Sequence, residues 1–149
     1  MTTIAAPVFT ELTDEASRRL LLSHHVGRLA FSHHDKVDIQ PVGYVFDDGW
    51  ILGRTSSGAK LSTLLHHPWC AFEVDEIRSI YDWESVVVRG SFYILDPELG
   101  SSDRYDRALE VLGTVHPGMF SESDPTPERG IVFGIYAQEI TGRSARNTG

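Results

Sequence analysis

Cysteine is nearly missing from this sequence: Cys70 stands alone among 149 residues. A single thiol excludes an internal disulfide and leaves no thiolate cluster for structural zinc, which fits a reducing cytoplasm. Positive charge is also scarce, with 13 Lys and Arg against 21 Asp and Glu and a formal net charge of −8. Because those few cations are scattered along the chain, a polyanion would meet net repulsion, and no nucleic-acid partner is expected. Long apolar runs are absent too. Nothing approaches the roughly 18 apolar residues of a membrane span, and "MTTIAAPVFTELTDE" at the N-terminus has no basic segment ahead of an apolar core. Neither membrane insertion nor export is expected. Internal repeats and low-complexity segments are lacking as well.

What remains is 41% hydrophobic and 10% aromatic, enough for one buried core, so residues 1–149 are expected to form one domain. Thr13 is placed to cap a short helix in "DEASRRLLLSHH", with Asp14 and Glu15 at its positive end and Ala16, Leu20 and Leu21 on its apolar side. Strand patterns follow at 26–32, 37–46 and 50–55, with "DDG" at 47–49 as a hairpin signal. Pro41 marks an edge or a bulge. "GAKLSTLLHH" has helical spacing, "WCAFEVDEI" reads as a strand, and "SVVVRGSFYIL" is the longest strand candidate, with Gly90 as a bend. "SDRYDRALEVLG" sets Tyr105, Ala108, Leu109 and Leu112 on one helical face, with Ser101 or Ser102 as its cap and Gly113 as its stop. Residues 116–130 form a long Pro- and Gly-rich loop, suited to a lid or an interface. The last strand is "IVFGIYAQEI", and "TGRSARNTG" reads as a polar tail. Several short antiparallel strands with few helices predict a mainly β protein, a small β-barrel with added α-helices.

Chemistry concentrates in "GWILGRTSSGAK". A strand ending in Arg54 and Thr55, then small residues and a helix opening near Lys60, would aim backbone N–H groups, hydroxyls and a cation at one point, as a phosphate monoester requires. The plainer alternative is a turn capped by Ser56 or Ser57 beside a solvated lysine. An ATPase loop is excluded, since Ala59 and Leu61 break the spacing of its lysine and its magnesium hydroxyl. The histidine pairs 24–25, 33–34 and 66–67 do not suit a metal, because adjacent side chains diverge on strands and helices alike. Cys70, between Trp69 and Ala71, reads as a small buried hydrophobe. Glu73 and Asp75 share a strand face, which fits a solvated or Arg-paired rim better than an acid–base pair.

Taken together and in order, "VGRLAF", "IQPVGYVF", "GRTSSGAKL", "CAFEVDEI", "SVVVRG" and the terminal "EITGR" resemble the pyridoxamine 5′-phosphate oxidase-like proteins over about residues 24–143. The resemblance implies an FMN-binding split β-barrel, a homodimer with FMN in the groove between two barrels, and a small-molecule redox activity without a catalytic triad. A flavin or haem carrier or sensor without turnover is the alternative, and deazaflavin is a further ligand known in this fold. The resemblance makes Arg54, Thr55, Ser56, Gly58 and Lys60 the phosphate cradle and lays the backbone of Gln40, Pro41, Val42, Gly43 and Tyr44 along the flavin ring. It brings Trp83 and Ser85 toward the same groove and lets Arg143 close it. FMN is expected over FAD, because no second Gly-rich motif serves a pyrophosphate. Three places depart from the pattern: many relatives carry asparagine at Gly43 and arginine at Ala59, and relatives often read "GWSV" where this sequence has Asp82-Trp83-Glu84-Ser85.

Overall fold

The computed structural model describes residues 6–98 and 102–147. Eleven elements follow one another: β1 (Pro7–Glu11), α1 (Asp14–Ser23), β2 (Val26–His33), β3 (Lys36–Gly43), β4 (Val45–Asp47), β5 (Trp50–Thr55), α2 (Ala59–His66), β6 (Trp69–Ser79), β7 (Asp82–Ile94), α3 (Ser102–Gly113) and β8 (Ile131–Asn147). The fold is mainly β, as the strand patterns predict. No helix among the described residues is long and apolar enough to cross a membrane.

The strands pair antiparallel in the order β3-β2-β6-β7-β8-β5-β4, with β1 added along the far half of β8. The two ends of that path are one piece of chain. β3 pairs with β2 and β4 pairs with β5, and only Tyr44 separates them. At Tyr44 the strand changes partner, and its N–H donates to the His25 carbonyl at 2.9 Å. The sheet thereby closes into a barrel. Tyr44 also fills the barrel: its ring is fully buried and stands edge-on to Phe72, and its hydroxyl donates to the Leu21 carbonyl at 2.6 Å. Burial pushes its phenol well above the ordinary value.

Local signals explain the connections. Thr13 caps α1, its hydroxyl accepting from the Ala16 N–H at 3.1 Å. Asp48 and Gly49 both have positive φ, 49° and 81°, as the tight β4–β5 hairpin requires. Pro41 lies on β3, which pairs with β2 alone, so its missing N–H costs no ladder bond. Gly90 sits where the β7–β8 register shifts, and a Cβ there would run into the Tyr136 carbonyl. Cys70 is buried, as expected, and burial pushes its thiol up to about 12.

Two apolar clusters result. The larger fills the barrel and takes Leu20 and Leu21 from α1 and Leu61 and Leu64 from α2. The smaller lies between α3 and the sheet, joining Ala108 and Leu112 to Leu52 and Val132.

Two sequence readings change. β8, not β7, is the longest strand, because the expected polar tail continues it to Asn147. There the buried positions are Gly142, Ser144 and Ala145, which are too small to register as apolar. The N-terminal segment supplies β1, which pairs with that same stretch. Ser101, one of the two caps considered for α3, lies outside the described residues.

Candidate functional site

The end of β5 leads directly into the segment singled out from the sequence. Thr55 is buried, Ser56, Ser57, Gly58 and Ala59 are exposed, and α2 opens on Gly58 without any side-chain cap on its first N–H groups. Those donors face solvent, where the helix dipole favours an anion. Lys60 is half-buried beside them. Burial, with the Arg129 charge adding to it, holds its ammonium below the ordinary lysine value. A half-buried cation with no carboxylate paired to it among the described residues suits an incoming anion.

Arg54 behaves differently from its expected place in the cradle. It points into the fold, where Nη2 lies 2.6 Å from Asp124 Oδ2, Nε donates to the Arg129 carbonyl at 2.9 Å, and Nη2 donates to the Thr126 carbonyl at 3.2 Å. The guanidinium therefore anchors the loop of residues 116–130 to β5. The Asp124 carboxylate also accepts the N–H groups of Phe120 and Thr126, both at 2.9 Å. Phe120 is held at a φ of 62°, with its ring 4.6 Å from the Arg54 guanidinium carbon. Such a backbone is uncommon for a bulky residue and persists because the surrounding bonds fix it. Of the residues expected in a cradle, Thr55, Ser56, Gly58 and Lys60 lie on this turn, and Arg54 stands behind it with its side chain turned into the fold.

The expected flavin-ring segment adjoins this place. A Cβ on Gly53 would lie 2.9 Å from the Gly43 carbonyl, and His116 stands near Gly43. Burial, then the Arg54 and Arg129 charges, push the His116 imidazole below its ordinary value. Gln40 and Pro41 are exposed, whereas Val42 is buried. Tyr44 offers no free backbone group: its N–H serves the barrel closure, and its carbonyl lies 3.2 Å from His25 Nδ1.

Trp83, Ser85 and Arg143 lie elsewhere. Cross-strand partners share a face, and the registers run Asp75–Ser85–Arg143 in one row and Ile77–Trp83–Ala145–Phe9 in the next. Pro41, Arg28, Glu73 and Val87 form the adjacent row on the same outer face. Ser85 donates to Glu73 Oε2 at 2.9 Å, and Arg28 Nη1 lies 3.7 Å from Glu73 and 3.6 Å from Asp75. Of the solvated and Arg-paired rims expected for these carboxylates, the Arg-paired one is present, and Arg28, which the sequence did not single out, supplies it. From β3 to β7 is three strand spacings, about 14 Å, so one chain does not gather Ser85 and the β3 backbone around one small ring.

His33, His34, His66 and His67 line one cleft of about 210 Å³, a proximity hidden by their separation in sequence. Among the described residues no three His, Cys, Asp or Glu side chains are grouped to hold a metal ion.

The profile described as pyridoxamine 5′-phosphate oxidase matches residues 13–144. This chain belongs to that family. An uncharacterized Mycobacterium tuberculosis protein, Rv0080, is 32% identical over 106 residues, covering 66% of this chain and 68% of its own length. The fold is similar to that of an FAD-binding protein from Mesorhizobium loti, with a TM-score of 0.75 at 24% identity over 95% of this chain and 100% of that one. It is also similar to an FAD-binding protein from Mycobacterium smegmatis, with a TM-score of 0.68 at 21% identity over 91% of this chain and 99% of that one. At these identities the two structures establish the split-barrel fold.

Proposed function

We propose that this member of the pyridoxamine 5′-phosphate oxidase family is a flavin-binding redox protein that holds FMN, with the 5′-phosphate on the Thr55–Lys60 turn. The observation that carries the reading is Lys60: a desolvated ammonium with no acidic partner among the described residues, next to the uncapped start of α2. Open space at Gly58, where an added Cβ would meet nothing within 4 Å, leaves room for a phosphate against the backbone. Flavin is also the ligand for which the two structurally similar proteins are named.

Bound flavin supplies electron and hydride transfer to a small-molecule substrate. The chain contributes position and surroundings. The turn and Lys60 fix the phosphate, the exposed backbone at Gln40 and Pro41 meets the ring edge, and the strap held by Arg54 and Asp124 shields the site from water.

The reading includes a homodimer. The outer face exposes Val37, Ile39, Trp69 and Ile77 at 77%, 67%, 52% and 67%, around the Arg28–Glu73–Asp75 rim. A second copy laid on this face would bring its own Trp83, Ser85 and Arg143 to the groove that one chain leaves half-built. The decisive experiment is the visible absorption spectrum of purified protein before and after added flavin, followed by reduction with NADPH. A flavin band that bleaches and recovers in air supports a redox enzyme. A haem band, or colourless protein that ignores flavin, overturns the reading.

A further inference from the structure

Side chains alternate along β3, and Val42 is buried in the barrel core. Gly43 therefore faces outward, in the row of Ile39 and Pro41 over which the reading above lays the flavin ring. A Cβ built on Gly43 would lie 3.8 Å from the His25 carbonyl oxygen and 3.9 Å from His116 Cε1. The His116 imidazole thus stands over the outer face, at the bare end of that row. The phosphate turn is close by. A Cβ on Gly53 would lie 2.9 Å from the Gly43 carbonyl, and Thr55 is two residues further along β5, about 7 Å. The ribityl chain between ring and phosphate can bridge such a gap.

The backbone of His116 is fixed from two directions. Its N–H donates to the Leu112 carbonyl at 2.9 Å, and Leu112 is fully buried between α3 and the sheet. Its carbonyl accepts the Met119 N–H at 3.1 Å, within the strap that Arg54 and Asp124 fasten to β5. The ring itself is uncommitted. It is half-buried, and neither ring nitrogen makes a hydrogen bond to another group among the described residues. A neutral imidazole offers one donor and one acceptor, so a rigidly placed and unpaired one suits a ligand edge that carries both. The polar edge of a flavin ring, with its carbonyl oxygens and ring N–H, is such an edge.

We propose that His116 hydrogen-bonds the polar edge of the bound flavin ring over Gly43, as a cofactor-binding residue supplied by the strap. This rests on the flavin reading above and adds a contact to the ring, where Lys60 serves the phosphate. The charged and titratable groups facing the imidazole are Arg54, Arg129, Asp124 and His25. Burial first, then the two arginines, with His25 a smaller influence, keep it below the ordinary histidine value, and Asp124 opposes them. A ring oxygen that accepts from the imidazole favours its charged form. Flavin binding should therefore take up protons and tighten as pH falls below about 6.5.

The test is a set of fluorescence titrations with riboflavin and FMN on wild type, His116→Ala, His116→Phe and His116→Gln, with circular dichroism to confirm that each variant is folded. His116→Ala and His116→Phe should weaken both ligands by the same factor, roughly three- to tenfold. His116→Gln, whose amide keeps a donor and an acceptor, should retain most of the affinity. Riboflavin has no phosphate to titrate, so its pH profile reads the protein. Tightening toward acid should appear in wild type and vanish in His116→Gln. Phenylalanine and glutamine keep most of the bulk of the ring, so they answer the question even where alanine fails to fold. Riboflavin binding by His116→Phe as tight as by wild type would reduce His116 to packing and overturn the proposal. So would a loss confined to FMN, which would put His116 at the phosphate, or a pH dependence that persists in His116→Gln. Each of these leaves the flavin reading standing. Wild type that binds neither riboflavin nor FMN would instead refute the flavin reading, and this contact with it.

Discussion

Arg54 and Asp124, 70 residues apart in sequence, meet with Nη2 at 2.6 Å from Oδ2, their side chains 4% and 1% exposed. This ion pair holds the 116–130 loop against the barrel. The Arg54 hydrogen bond, then the Phe120 and Thr126 amides, keep the Asp124 carboxyl well below the usual carboxylate range. A depressed folded-state pKa contributes stability that is fully present above the unfolded value of about 3.9 and is lost as pH falls through the folded value. Asp124→Asn should therefore lower the melting temperature by on the order of 10 °C at neutral pH, with most of the difference gone in strong acid. Replacing both partners with apolar residues should recover part of the loss, since no lone charge then stays buried. Thermal melts of the single and double variants across pH check this, and equal melting of Asp124→Asn and wild type at neutral pH would show that the strap does not depend on the pair.

The same pair marks a limit of sequence reading. Arg54 was legible as part of the expected cradle, because it ends an apolar strand next to a small-residue turn, but its inward direction was not. Nor was its partner, since nothing around Asp124 in "SESDPTPERG" separates a buried anchor from any acidic loop residue. Strands with apolar alternation, the α1 cap and the β4–β5 hairpin were readable because their causes are local. β1 and the end of β8 were not. They stabilise each other across the length of the chain, as in the 3.2 Å contact between Thr10 and Ser144, and carry few large apolar residues. The fold was thus largely readable, whereas the internal anchoring of Arg54 to Asp124 and to the Arg129 carbonyl depends on long-range contacts.

Glu73 gives a second, pH-dependent expectation. Burial first, then the hydrogen bond with Asp75, raise its carboxyl to about 7, while Ser85 and Arg28 oppose the rise. A carboxyl whose folded pKa exceeds its unfolded value stabilises the protonated fold. Stability from this group is full below about 4.3 and is lost as pH rises toward neutrality. Glu73→Gln, which keeps the shape without the charge, should gain on wild type in urea melts as pH goes from about 5 to about 8. A gap that stays constant over that interval would place the titration elsewhere.

The proposed dimer makes a third. An interface on the outer face should bury about 1,600 Å² in total if it is of standard size. Light scattering at micromolar concentration should return twice the chain mass. Ile39→Asp puts an unpaired charge at the centre of that face without entering either core cluster. The variant should be a folded monomer by circular dichroism and should lose flavin, because Trp83, Ser85 and Arg143 would no longer reach the groove. A monomeric wild type that binds flavin at full affinity would overturn the shared site.

The cradle itself is tested at Lys60. If the turn seats the flavin phosphate, Lys60→Ala removes a charge-assisted hydrogen bond worth about 1.5–3 kcal/mol, a loss of roughly ten- to a hundredfold in FMN affinity. Riboflavin, which has no phosphate, should bind wild type and variant alike. The ammonium is already disfavoured in the empty fold by burial and by Arg129, so removing it should leave the melting temperature of the flavin-free protein unchanged or raise it. The same shift sets the alkaline limit. As pH rises, Lys60 gives up its proton earlier than an ordinary lysine, and FMN affinity should weaken there, while Lys60→Arg should hold its affinity to higher pH because a guanidinium keeps its charge. Flavin fluorescence titrations of the three proteins with FMN and riboflavin at neutral and alkaline pH supply every constant needed. Equal, small effects on both ligands would make this turn an ordinary connection between β5 and α2.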